Sequence, residues 1–197
     1  MNLGEIRDII VQFSDAGKQP EDFNSLLHWA SSELFAMKFA QGDKVALAPF
    51  QANRGDGTVP LFVVNGIATL PDDYHGWPEM SVVYDGTYHR VKIVDNKFWN
   101  IHKASSIEYP DKKYPIARIE ENQVRVLPKT TQYIILDYLK KPRVPVFGWT
   151  NTNGFVEYDP TTSTELEWED AQQVEIIVMI LSSLGVAVTK EQINDRK

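Results

Sequence analysis

The run Ala117-Arg118-Ile119-Glu120-Glu121-Asn122-Gln123-Val124-Arg125-Val126, followed after Pro128 by Tyr133-Ile134-Ile135-Leu136-Asp137-Tyr138-Leu139, decides the fold class. Ala117 and Ile119 alternate with Arg118 and Glu120, Glu121-Asn122 interrupts, and Val124 and Val126 then alternate with Gln123 and Arg125. A period of two with one apolar side is the mark of half-buried antiparallel strands. Tyr133 to Leu139 is apolar on both faces except at Asp137, the pattern of a strand covered from both sides, and Lys140-Lys141-Pro142 ends it. A sheet with such a strand needs something lying on its second face. The helical segments at the two ends of the chain are the candidates.

Ile6, Ile9, Ile10 and Phe13 fall at i, i+3, i+4 and i+7, one stripe of an amphipathic helix that Gly17 is expected to stop. Pro20 suits the first turn of a second helix, with Glu21 and Asp22 against its positive dipole end. Phe23, Leu26, Leu27, Ala30, Leu34 and Met37 keep one face, and Gly42 is the expected C-cap. Residues 1–41 therefore read as a helical hairpin. Residues 42–60, with Gly42, Pro49, Gly55, Gly57 and Pro60 among polar neighbours, read as a long loop. It contains Arg54-Gly55-Asp56, the tripeptide of integrin ligands, with nothing else in the chain pointing outside a cell.

Residues 61–160 read as an antiparallel β domain. Asn65-Gly66, Asp85-Gly86 and Asn153-Gly154 each separate two β-rich segments, and Asn-Gly or Asp-Gly accepts the positive φ values of a tight hairpin turn. Tyr88 to Val94 reads as one strand, with Val91 and Ile93 alternating against Arg90 and Lys92; the third hairpin, from Val146 to Tyr158, has the longest loop. About seven to nine short strands of this kind form a sandwich or a small barrel. Residues 161–197 hold the last helix and a tail, with Thr161 to Thr164 supplying cap chemistry and Gly185 the C′ residue. The core stripe is Val174, Ile177, Val178, Leu181 and Leu184, while Ile176, Met179 and Ile180 form a second apolar stripe that also needs a partner, either the N-terminal helices or a neighbouring subunit. Thr189-Lys190-Glu191-Gln192 has capping-box spacing for a short terminal helix. The expected fold is α+β: an N-terminal helical hairpin and a C-terminal helix packed with an antiparallel sandwich or small barrel as one structural unit.

The 197 residues carry a formal net charge of −7, which disfavours a broad grip on nucleic-acid phosphates, and they include no cysteine, so no disulfide, thiolate metal site or cysteine nucleophile is available. No run is apolar enough for a membrane span or a secretory leader, and the expectation is a soluble protein made in the cytoplasm. The four histidines, His28, His75, His89 and His102, show no metal-binding spacing, and there is no phosphate loop or nucleophile elbow. Asp72, Asp73 and His75 are the one compact acid-base or metal-type group, but adjacent carboxylates on an extended segment point to opposite faces, so a solvated turn after Pro71 is the preferred reading. Trp77, Tyr84, Tyr88, Phe98 and Trp99 would serve a sugar-stacking platform or inter-strand packing. No catalytic residue, cofactor or metal site is expected.

Six segments in order carry a resemblance: Gly17-Lys18-Gln19-Pro20-Glu21-Asp22-Phe23-Asn24; Leu70-Pro71-Asp72-Asp73-Tyr74; Pro115-Ile116-Ala117-Arg118; Val126-Leu127-Pro128; Leu136-Asp137-Tyr138-Leu139-Lys140-Lys141-Pro142; and Leu166-Glu167-Trp168 through Val174-Glu175-Ile176-Ile177 to Leu184-Gly185. Together they span nearly the whole chain and resemble the head-tail adaptor, or connector ring, proteins of tailed bacteriophages, particularly of crAss-like phages. The resemblance implies a virion part that is not an enzyme. Copies would form a twelve-fold ring docked on the portal protein, meet the next tail or ring protein, and pass DNA without sequence-specific contacts. A terminal segment would clasp the portal or a neighbour, which makes Trp168, Ile176, Met179, Ile180, Val186, Val188 and Ile193 the expected interface residues. The alternatives of a different kind are a carbohydrate-binding β module built on Trp77 and Trp99 and a small hydrolase built on Asp72, Asp73 and His75.

Overall fold

A computed structural model describes residues 1–14, 19–55, 57–107 and 109–195. The helix stop expected at Gly17, the Gly17-Lys18 start of the first resembling segment and Asp56 of the Arg-Gly-Asp tripeptide lie outside the described residues. In chain order the elements are α1 (Leu3–Phe13), α2 (Pro20–Gln41), β1 (Gln51–Arg54), β2 (Leu61–Phe62), β3 (Ile67–Thr69), β4 (Tyr74–Tyr84), β5 (Thr87–Arg90), β6 (Lys92–Ile93), α3 (Asn96–Ala104), β7 (Ile116–Glu120), β8 (Gln123–Leu127), β9 (Tyr133–Lys140), β10 (Trp149–Thr152), β11 (Phe155–Tyr158), α4 (Asp170–Ser183) and α5 (Lys190–Asn194). This is a mixed α+β fold with helices at the N-terminus and a multi-stranded β region. It divides into two compact units, Met1–Phe50 with Pro142–Lys197, and Gln51–Lys141.

The first unit is built around α4. Helix α1 starts with a reciprocal cap, in which the Asn2 side chain accepts from Glu5 N–H and the Glu5 carboxylate accepts from Asn2 N–H, both at 2.9 Å. Helix α2 begins on Pro20 and ends at Gly42, whose φ of +68° suits a residue with no Cβ. Helix α4 touches α1, α2 and α5. It therefore buries the expected stripe, Val174, Ile177 and Leu181, and also Ile176 and Ile180 of the second one. A helix apolar all round belongs at the centre of a bundle. Phe50 packs edge-on against Trp168 at 4.6 Å between ring centres, Phe35 against Phe50 at 5.3 Å, and the Trp168 indole N–H donates to Ser31 Oγ at 2.9 Å. Gly185, at φ +78°, ends α4 as expected, and Thr189 caps α5 with the reciprocal Gln192 bond.

Three features of this unit differ from expectation. The β10–β11 hairpin belongs to it and not to the β domain, and its turn is the two-residue Asn153-Gly154 with no longer loop. Thr161, Thr162 and Ser163 do not cap α4: the two threonine hydroxyls donate to the Asp159 carboxylate and the serine hydroxyl to the Asp159 carbonyl, which tightens a turn, and α4 starts only after Glu169. Met37, placed on the buried face of α2 by the sequence, is exposed.

The second unit holds two sheets. One has the order β1-β9-β4-β5, with β2 also pairing β9; the other has the order β3-β8-β7-β6. Strand β9 is buried at Ile134, Ile135, Leu136, Tyr138 and Leu139 and open at Asp137, as its sequence requires. Asn65-Gly66, Asp85-Gly86 and Glu121-Asn122 make tight turns, with Asn65, Asp85 and Glu121 at φ near +50°.

The segment expected as one loop contains β1, whose only apolar residue, Ala52, faces Tyr138 in the register. Backbone pairing to β9 holds this strand, so side-chain alternation could not announce it. Just beyond it, Gly55 at φ +118° passes so close to Ile135 that a Cβ would sit 2.7 Å from Ile135 Cγ1. The glycine of the Arg-Gly-Asp tripeptide thus has a packing reason. The expected strand from Tyr88 to Val94 breaks at Val91: Val91 N–H donates to Met80 O at 2.8 Å, then Lys92 N–H donates to Pro115 O at 3.1 Å. The chain passes there from the first sheet to the second, where β6 pairs with β7 in parallel. Helix α3 was not expected at all; Asp95 caps it by accepting from Phe98 N–H at 2.8 Å.

Candidate interaction surfaces

The residues expected to face a portal or neighbour are mostly inside the helical unit. Ile176, Ile180 and Ile193 have no exposed surface and Trp168 almost none, while Met179, Val186 and Val188 are half-buried. Of the two partners open to the second stripe of α4, the N-terminal helices or a neighbouring subunit, the N-terminal helices cover Ile176 and Ile180. The partners of α4 are α1, α2 and α5, and the tail after Gly185 folds back so that Lys190 Nζ reaches Glu175 at 2.8 Å. Lys38 of α2 holds the other Glu175 oxygen at 3.3 Å. Burial alone would push the Glu175 carboxyl up, but hydrogen bonds and charge from Lys190 and Lys38 outweigh it and hold the group below the usual glutamate range. The carboxylate therefore clamps α2, α4 and α5 in its ionised form.

Of the group Asp72, Asp73 and His75, Asp73 is engaged by the scaffold. Asp73 accepts from the Tyr138 hydroxyl at 2.8 Å, and its backbone carbonyl accepts from Lys141 N–H at 2.7 Å. The Tyr138 phenol is pushed up, first by burial and then by its bond to Asp73, so it stays a neutral donor. His75 is lowered by burial and by the nearby Lys141 charge, both of which favour the neutral imidazole. Among the described residues no group of three or more His, Cys, Asp or Glu side chains is placed to hold a metal. No helix among them is long and apolar enough to cross a membrane.

The aromatic residues are not gathered into one platform. Trp99 is only 6 % exposed and packs with Val94, Ile116 and Leu127 beneath α3, with the Arg118 guanidinium 5.2 Å from its ring centre. Trp77 is half-buried in an irregular stretch of β4 and takes φ +48°, a left-handed conformation that strains a bulky residue. Tyr84, Tyr88 and Phe98 are exposed.

What sequence reasoning missed is a surface on the β unit where β5, β6, α3 and residues 105–107 and 109–115 meet. A cleft of about 390 Å³ there is lined by Arg90, Lys92, His102, Ile107, Tyr109 and Tyr114, among others. Ile107 is 94 % and Tyr114 67 % exposed. Asp111, the acidic residue of the lining, is engaged by its own loop, accepting from Lys113 N–H at 2.8 Å and Tyr114 N–H at 2.7 Å. A second cleft of about 420 Å³ shares Arg90 and Lys92.

Charge is divided between the units. The helical unit has 8 Lys and Arg against 16 Asp and Glu, a formal −8; the β unit has 12 against 11, a formal +1; these add to the −7 of the chain. No family model matches the chain, and no curated protein matches it either.

Proposed function

We propose that the chain is a structural subunit of a bacteriophage head-tail connector, in which copies form a ring on the portal protein and continue the DNA channel toward the next ring or tail protein. In this reading it is a virion component, made in the host cytoplasm, and it catalyses nothing. The observation that carries the reading is that the separate segments resembling the connector family meet in space. Leu70-Pro71-Asp72-Asp73-Tyr74 lies against Leu136 to Lys141 through the Tyr138–Asp73 bond, the Lys141–Asp73 backbone bond and the Tyr74↔Lys140 pairing. Pro115 to Arg118 runs beside Val126-Leu127, with Ile116 opposite Leu127 and Ala117 opposite Val126. Trp168 and the start of α4 are joined by Gln173 Nε2 donating to Trp168 O at 2.8 Å. The polar residues of these segments are spent on holding the scaffold, which suits a building part.

We also read the two sheets of the β unit as faces of a small sandwich, because one buried cluster takes Met80, Val82 and Leu136 from the first sheet and Ala68, Ala117 and Val124 from the second. The test is mass spectrometry and cryo-electron microscopy of purified virions, with the chain tagged at its C-terminus. The expected result is the protein present in fixed copy number with label at the portal vertex; its absence from virions overturns the proposal.

A further inference from the structure

We infer that the outer face of α2 on one copy seats on the α3–cleft surface of the β unit of the next copy, as the head-to-tail contact of the assembly. The inference rests on the ring-subunit reading above. Along the solvent side of α2, Asp22, Ser25, Trp29, Glu33, Met37 and Ala40 recur at helical spacing, and all six are exposed. Trp29 is 45 % exposed on a helix whose other side already supplies the core with Phe23, Leu27, Ala30 and Leu34. This face presents two large apolar side chains with Glu33 between them, the small residues Ser25 and Ala40 beyond them, and no lysine or arginine among the six. The cleft surface presents the complement: Ile107 and Tyr114 stand out from it and Arg90 and Lys92 flank it.

Charge and apolarity together select the partner. Duplex DNA would call for a basic track with polar surroundings, whereas here Ile107, Tyr109 and Tyr114 line the cleft together with Arg90 and Lys92, on a unit with a formal charge of only +1. A second copy, through its −8 helical unit, offers both the acids and the apolar anchors. The contact joins two different patches, so each copy keeps one of each free for the next, which is the requirement for a ring or a filament. Its size predicts weakness. A 22-residue helix is about 33 Å long and about 10 Å across, so the face is well below the roughly 800 Å² per partner of a stable standard interface. Pairs therefore form at high concentration or on a template.

The test places a photo-crosslinking amino acid at position 29 of the full chain, irradiated at about millimolar concentration, with crosslinks mapped by mass spectrometry. Crosslinks from position 29 to residues 98–115 of a different copy are expected. Arg90→Glu with Lys92→Glu in the receiving copy should cut their yield about tenfold. All three positions are exposed, and an unchanged melting curve verifies folding. Mixing gives the sharper readout. A Trp29→Asp copy retains its cleft, and the Arg90→Glu, Lys92→Glu copy retains its α2 face. Each alone should stay monomeric by native mass spectrometry, while the mixture yields one-to-one dimers and nothing larger. A wild type that stays monomeric without crosslinks, crosslinks to another surface, or a double variant that loses only binding to double-stranded DNA overturns the inference. Presence of the protein in virions alongside such a result would leave the ring-subunit reading standing. Its absence from virions alongside the expected crosslinks would remove that reading and keep the contact.

Discussion

Ile180 decides between two accounts of the C-terminal helix. If its face meets a neighbouring subunit, substitution spoils assembly and spares the monomer; if it lies in the bundle, substitution spoils the monomer. The side chain has no exposed surface and sits in a helix packed by α1, α2 and α5. Ile180→Ala removes buried methyl groups and leaves a void, at about 2–5 kcal/mol. At about 2–4 °C per kcal/mol for a chain of this size, its melting temperature should fall by about 4–20 °C. Ile180→Glu puts a carboxylate among Ile176, Ile177 and Leu181, and the cost of burying an unpaired charge is comparable to the whole stability of a domain, about 5–15 kcal/mol. It should not give a folded helical unit. Met179→Ala, one position along and half-buried, is the comparator and should cost less. The assay is thermal and urea unfolding of the isolated chain followed by circular dichroism, with no partner present. An Ile180→Glu chain that melts like wild type and fails only to associate would refute the bundle account.

Tyr138→Phe deletes the donor that Asp73 accepts from at 2.8 Å and should cost about 1 kcal/mol in urea unfolding. Because the folded phenol is held above its ordinary value of 10.0, its contribution is present below that pH and lost as pH rises through the folded value, so the variant should show a shallower alkaline loss of stability. Glu175 has the opposite sign: its folded carboxyl is held below the ordinary 4.5, so its contribution is present above that pH and lost as pH falls through the lowered value. Glu175→Gln should flatten the acid limb as pH falls below the ordinary 4.5 in the same unfolding assay, and an unchanged limb would count against the three-helix clamp. Gly148→Ala would bring a Cβ to 2.6 Å from the Thr162 carbonyl carbon, which is backbone and cannot swing aside, whereas Gly154→Ala at the β10–β11 turn meets open space and only a φ of +86°. The first should cost about 1–3 kcal/mol or more and the second about 1–2; equal melting temperatures would contradict the close approach.

The parts legible in the sequence are those in which side chains, rather than backbone neighbours, dictate local structure. Glycines and prolines at helix ends, the Thr189 capping box and the tight turns at Asn65-Gly66 and Asp85-Gly86 were readable because each residue acts on its own backbone. The buried character of β9 was readable because two apolar faces leave a strand no exposed side. Strand β1 was not, since Gln51-Ala52-Asn53-Arg54 has no apolar alternation and is held by backbone pairing to β9 and by polar contacts such as Asn53 to Asp137. The sheet change at Val91 was hidden because alternation continues in sequence while the hydrogen-bond partner changes from Met80 to Pro115. Helix α3 left a signal that was passed over: Asp95 ahead of Phe98, with Trp99 and His102 three apart, is cap and helical spacing rather than alternation. The cleft surface had no signal, because it joins β5, β6 and a loop some twenty residues further on.

Two apolar stripes on one helix do not say who covers the second. A bundle and an interface leave the same record in that helix, since both remove the same side chains from water. The difference is written on the neighbouring helix. Had α4 turned its second stripe outward, α2 could have kept a purely polar outer face; instead α2 encloses α4 and exposes Trp29 and Met37 on its own far side. Apolar surface without a partner therefore lies one layer further out than the α4 stripe suggests. It lies beside Asp22 and Glu33, so a partner must answer acids as well as grease. This requirement narrows the candidates more than hydrophobicity does, because apolar contact is indifferent to direction whereas a like-charge partner is rejected. A copy presenting its own α2 would be repelled, which disfavours a two-fold dimer through that face and leaves the head-to-tail arrangement, in which acids meet Arg90 and Lys92, as the one that both terms favour.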